Sequence, residues 1–185
     1  MPIKTFVSGE ILTASDTNAY LNNGGLVYIT AQTVGSAVSS VTVSNCFSAT
    51  YDNYRIIYNG GTGTTDLFLR IQLSGITGAN YFGGQIGARF DTGAFAGQSN
   101  NGLTQWNFCG SANSVQTNVI CDLIDPFATR RTLVSAAAVY SATGSSYGVF
   151  VGETTSTASA SGFVLSTSTG TITGGTIRVY GYRQA

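Results

Sequence analysis

The chain of 185 residues carries eight basic and eight acidic side chains, no histidine and 24 glycines, with 43% hydrophobic, 11% aromatic and only 9% charged positions. Low charge with ample apolar content is the reverse of a disordered composition, so the chain folds, and its length suits one main domain with a short appendage. The balanced charge leaves no electrostatic footprint for nucleic acid or an anionic membrane. No stretch of about 18 apolar residues is present to cross a bilayer, and the missing histidine removes the commonest general base, metal ligand and triad member.

Residues 1–25 read as a segment apart from 26–185. Met1-Pro2-Ile3-Lys4-Thr5 lacks the apolar core of a signal peptide, which predicts synthesis in a cytoplasm without export by the usual route. Ile11 to Leu21 is the one helical stretch, with Thr13 as N-cap, Asp16 as a weak capping-box partner and Gly24-Gly25 as the stop. A helix of about eight residues is unstable alone, so its apolar side chains must dock on the body of the chain or on another protein. Ile11, Leu12, Tyr20 and Leu21 are the candidate anchoring residues.

From Leu26 onward the apolar period is two. Leu26 to Thr30, Val38 to Val43, Tyr54 to Tyr58 and Asp66 to Leu73 are β-branched or aromatic runs bounded by turn residues. Leu67, Leu69, Ile71 and Leu73 mark a strand buried on one face, with Arg70 and Gln72 on the other. Gly60 to Gly63 lacks a following Lys and helix, so it is read as turns and not as a phosphate cradle. Gly75 to Asn113 is the least regular stretch, predicted to hold one or two strands joined by long loops. Its aromatics Tyr81, Phe82, Phe95 and Trp106, set among Gly, Asn and Gln, are candidates for receptor-facing loops, against the plainer reading that they pin those loops to the core.

Later strands are predicted at Gln105 to Cys109, Thr117 to Leu123, Arg131 to Tyr140, Tyr147 to Gly152, Gly162 to Thr167 and Thr176 to Arg183, so the fold class is all-β, a sandwich or barrel. Cys46, Cys109 and Cys121 are an odd number at wide spacing and read as reduced core thiols. Asp122 and Asp125 are the closest carboxylate pair, at a strand end before Pro126, where Asp is ordinarily a turn former. Asp52, Asp66 and Asp91 have no spacing of a cation-binding loop. No catalytic, cofactor-binding or metal-binding residue is assigned, and no cofactor is expected. With so few charges, the solvent face and the strand edges need protection that association would supply.

Phe47 to Ile56 (FSATYDNYRI), followed by the Leu67 to Leu73 strand, resembles a module of bacteriophage tail-fibre and minor structural proteins. Gly175 to Tyr182 is similar to its closing strand, and Asp125-Pro126-Phe127 to its recurring Asn/Asp-Pro step. Gly9 to Leu21 resembles the opening segment of many phage tail and virion proteins. This resemblance implies an antiparallel jelly-roll-like β-sandwich, commonly trimeric, on the virion surface. On this reading the chain is a non-enzymatic tail-associated fibre or adhesin component, anchored by its N-terminal segment to other virion proteins and open to a host-surface glycan. The alternatives are a capsid decoration or head-fibre protein and, least favoured, a polysaccharide-degrading tailspike enzyme, which would need paired carboxylates in a groove.

Overall fold

The computed structural model describes residues 7–11, 13, 25–140 and 146–183. The expected helix and its anchoring residues Leu12, Tyr20 and Leu21 lie outside these residues. Ile11 is described; it is exposed and in no regular element. Among the described residues there are twelve strands and no helix: β1 (Leu26–Thr33), β2 (Ser40–Val43), β3 (Asn53–Gly63), β4 (Leu67–Leu73), β5 (Tyr81–Arg89), β6 (Phe95–Leu103), β7 (Trp106–Ala112), β8 (Thr117–Ile124), β9 (Leu133–Tyr140), β10 (Ser146–Thr154), β11 (Phe163–Thr167) and β12 (Ile172–Tyr182).

Every strand pairing is antiparallel. One arm runs β1-β12-β3-β8-β9-β10-β5-β6, and the other β2-β11-β4-β7. The arms join where the end of β7 meets the start of β8, Ser111 opposite Asn118 and Ala112 opposite Thr117. The chain is therefore all-β with an open antiparallel sheet, and the period of two explains why. In β4, Leu67, Leu69, Ile71 and Leu73 are buried while Phe68, Arg70 and Gln72 are half-exposed. In β3, Tyr54, Ile56 and Tyr58 point into the same apolar cluster from the other arm. Burying each such side chain stabilises the fold by about 1.5–3 kcal/mol, so a single shared cluster binds the arms together.

Tyrosine hydroxyls tie the strands to their loops. The Tyr54 hydroxyl donates to the Ser48 carbonyl and accepts from the Ser48 amide, both at 2.8 Å. Tyr58 donates to the Gly174 carbonyl at 2.8 Å. Gly174 pairs with Gly61 and Thr176 with Asn59, which leaves Gly60 and Gly175 facing each other in register at φ +77° and +79°, a left-handed conformation that L side chains rarely adopt. At Gly181 the constraint is space, since a Cβ would lie 2.5 Å from the Tyr51 ring.

Two expectations are corrected. Gly60 to Gly63 is the end of strand β3 and not a set of turns. Gly75 to Asn113 is not loop-dominated but holds three strands, β5, β6 and β7. The alternation there is broken by Gly83, Gly84, Gly87 and Gly97, which carry no side chain to show a period. At Gly83 the neighbouring strand crowds the backbone, and a Cβ would lie 2.6 Å from the Val151 carbonyl oxygen.

Candidate functional site

The four aromatics expected on receptor-facing loops all lie on strands, and two of them are core residues. Tyr81 and Trp106 are fully buried and meet edge to face, ring centroids 5.1 Å apart. The Tyr81 hydroxyl accepts from the Leu73 amide at 2.9 Å and donates to the Ile76 carbonyl at 3.0 Å, while the Trp106 indole N–H donates to the Glu153 carbonyl at 3.3 Å. They have no surface to offer a receptor, because a buried aromatic with a satisfied polar tip contributes most as packing. Phe82 is half-buried, and Phe95 on β6 stands 82% exposed.

Phe95 belongs to a surface that the alternation leaves uncovered. On β8, Val119, Cys121 and Leu123 point inward, so Ile120 and Ile124 point out. On β10, Phe150 is buried while Tyr147, Val149 and Val151 face solvent. The register lines these outward residues into rows across the sheet. Ile57 sits beside Ile120, then Ala137, Val149 and Ile86. In the next row Val139 stands beside Tyr147, then Ala88 and Phe95. Phe90 stacks on Tyr147 with centroids 5.2 Å apart. Ile86 is 67% exposed and Val151 58%. The apolar side chains of this face together expose on the order of 1,000 Å², well beyond the few hundred Å² of a monomer's usual largest patch and equal to one side of a standard protein–protein interface.

The face is not flat. Ala137 is the small member of the Ile120–Ala137–Val149 row, so β9 forms the floor of a trough whose walls are β8 and β10. The trough has a volume of about 420 Å³ and includes Val139, Tyr147 and Gly148 in its lining. Asn118 closes one end. Its amide group donates to the Val139 carbonyl at 2.9 Å and accepts from the Val139 amide at 3.3 Å, continuing by side chain the ladder that the β8 backbone has left. A smaller cleft of about 230 Å³ lies by the β5–β6 hairpin, lined by Phe68, Gln85, Gln98, Arg89 and Tyr147. The Gln85 Oε1 is buried there without a hydrogen-bond partner.

Ion pairs ring the apolar surface. Asp122 receives Arg55 Nε and Nη2 at 2.8 and 2.7 Å and the Tyr182 hydroxyl at 2.7 Å, and the Arg55 guanidinium lies 5.6 Å from the Tyr182 ring centroid. Partial burial alone would raise the Asp122 carboxyl. The hydrogen bonds from Arg55 and Tyr182, with the guanidinium charge, outweigh it and hold the group below the usual carboxylate range. Arg131 pairs with Glu153 at 3.0 Å, and Arg89 with Asp91 at 2.7 Å.

The remaining reactive groups are engaged or enclosed. Asp125 has φ +58° in the turn after β8, donates its amide to the Asp52 carbonyl at 2.8 Å and pairs with Arg130 at 3.2 Å. The three thiols are buried and free. Burial pushes the Cys46 thiol up to about 12, and Cys121 is raised by its contact with Cys109 and by burial, so both are protonated at neutral pH. Among the described residues no group of three or more His, Cys, Asp or Glu side chains is placed to hold a metal ion, and no helix is long and apolar enough to cross a membrane. The chain matches no protein-family model, no curated protein and no solved structure.

Proposed function

We propose that this chain is a non-enzymatic structural subunit of a bacteriophage virion surface, built as a jelly-roll-like β-sandwich, assembled as a homotrimer and made in the cytoplasm of the bacterial host. It serves as a tail-associated fibre or adhesin component, attached to its virion neighbours by the N-terminal segment carrying Ile11, Leu12, Tyr20 and Leu21. The observation that carries this reading is the uncovered face of β8, β9, β10 and β5, an area of apolar surface that a protein working alone would not leave in water. The resemblance of the Phe47 to Ile56 and Gly175 to Tyr182 segments to virion proteins supplies the setting. The engagement of Asp122 with Arg55 and Tyr182, and of Asp125 with Arg130, supports a structural role over glycan hydrolysis, since each carboxylate is held by partners of its own chain.

A capsid decoration or head-fibre protein is the second reading. It is favoured by the strand lengths, none above 11 residues among the described elements, which make a compact body without a shaft. A host-surface glycan, if bound, would find amide partners in the cleft of Gln85 and Gln98 and not at Tyr81 or Trp106. Electron cryomicroscopy of purified particles carrying a labelled copy tests the reading. Density on the tail or on the shell supports it and separates the two locations. Particles without the protein, or release of reducing ends from host glycan by the purified chain, overturn it.

A further inference from the structure

We propose that the occupant of the exposed trough is a second copy of this chain, with Phe95 of one copy seated over Ala137 of the next. The inference rests on the structural-subunit reading and deepens it by naming the partner of the apolar face. Phe95 is the most exposed aromatic among the described residues and stands on β6. The trough lies over β9, and β6 is separated from β9 by β10 and β5 in the sheet order. Three strand spacings are about 14 Å, so the ring, which with Tyr147 and Val149 lines a cleft beside the trough, cannot cover Ala137 of its own chain.

Size and charge both fit a copy. The trough is wide enough to take an aromatic ring, and its walls Ile120, Val149 and Tyr147 are apolar. No ionisable group other than the Tyr147 phenol lines it. The charges bordering the face are paired within the chain, Arg55 with Asp122, Arg89 with Asp91 and Arg131 with Glu153. A strongly charged partner would find no free counter-charge in these pairs, whereas an uncharged face meeting its equal desolvates apolar surface without stranding an ion. The area, on the order of 1,000 Å² a side, is what a stable association of two chains needs. Knob and trough are different parts of one face, so a copy that seats its Phe95 on one neighbour without the reverse contact keeps its own trough open for the Phe95 of another. This head-to-tail relation is the one from which closed rings, trimers included, are built.

Light scattering coupled to size exclusion on the full chain at micromolar concentration tests the contact. The wild type is expected at a multiple of 19.2 kDa. Phe95→Ala, which removes the knob, and Ala137→Trp, which fills the trough, each weaken association by at least about tenfold and run near the single-chain mass. Both positions face solvent, so each variant keeps the circular-dichroism spectrum of the folded chain. An equimolar mixture of the two regains a two-chain species, because the Ala137→Trp chain keeps its knob and the Phe95→Ala chain keeps its trough. A wild type at 19.2 kDa, or either variant retaining the wild-type mass, overturns the contact. If the wild type is single in solution but Val149→Asp removes it from particles, another virion protein or residues 1–24 cover the face, and only the self-contact falls. If the variants behave as expected while particles lack the protein, the virion reading falls and the self-contact stands.

Discussion

At the β12–β3 end of the long sheet arm the outward row reads Tyr180, Arg55 and Asp122. Its charged groups are satisfied within the chain, Arg55 by Asp122 and Asp122 by Arg55 and Tyr182. Three strands along, the same kind of row reads Ala137, Val149 and Ile86, with nothing above it among the described residues. Both ends bury their inner residues equally well, Ile56 and Tyr58 at one and Phe150 and Val134 at the other. The difference lies on the outside: the charged groups at one end are paired by side chains of the chain itself, while the other end is left bare by the described residues. If the bare face binds a second copy as proposed, stability and assembly depend on opposite faces of the same strands, and substitutions separate them.

The largest effect is expected from the inner face beneath the bare end. Trp106→Ala removes the indole that packs on Tyr81 and should cost about 3–5 kcal/mol in urea unfolding. A loss below about 1 kcal/mol would show that the aromatic pair is not a core element. Next, Tyr54→Phe at the β12–β3 end removes the hydroxyl that both accepts from and donates to Ser48 and leaves those backbone groups unpaired, for a loss of about 1–3 kcal/mol by the same measurement.

Asp122→Asn should cost less, about 1 kcal/mol, because the Arg55 pair is one-third exposed and partly screened. Its pH dependence is the sharper test. The Asp122 carboxyl is lowered in the folded state, so its contribution is present above the unfolded value near 4 and is lost as pH falls below that value toward the folded one. Melting temperatures measured from pH 6 down to pH 2 should fall more steeply in the wild type than in Asp122→Asn. Parallel curves would mean that the Arg55–Asp122–Tyr182 cluster does not couple to folding. The smallest effect on the fold is expected on the bare face, where Val149→Thr should change the stability of the single chain by less than about 0.5 kcal/mol. The same substitution should weaken association measurably in light scattering. A large loss of stability in the isolated chain would place Val149 in the core and erase the contrast between the two ends.

Much of the inner face was legible in the sequence. The Leu67 to Leu73 alternation identifies both the strand and its buried side, because side chains on a strand point to opposite faces in turn. The all-β class, the turn role of Asp125 and the burial of Cys121 follow from the same local rules. The stretch through β5 and β6 was not legible. In β5 and β6, glycines erase the period of two, and Tyr81 and Trp106, set among Gly and Asn, carry a surface-like composition although the fold buries them. The local pattern of Leu12, Tyr20 and Leu21 shows that those side chains are apolar without saying what they dock on.

What the sequence by itself determined is which residues alternate and therefore which can share a face. It could not determine what covers that face. Val149, Phe150 and Val151 form a continuous apolar run, and only the tertiary structure decides that Phe150 enters the core while its two neighbours remain outside. The trough is decided at the same level, because Ile120, Ala137 and Val149 come from three separate strands. Strand order and register are set by contacts between distant parts of the chain, and no local pattern of polar and apolar residues specifies them.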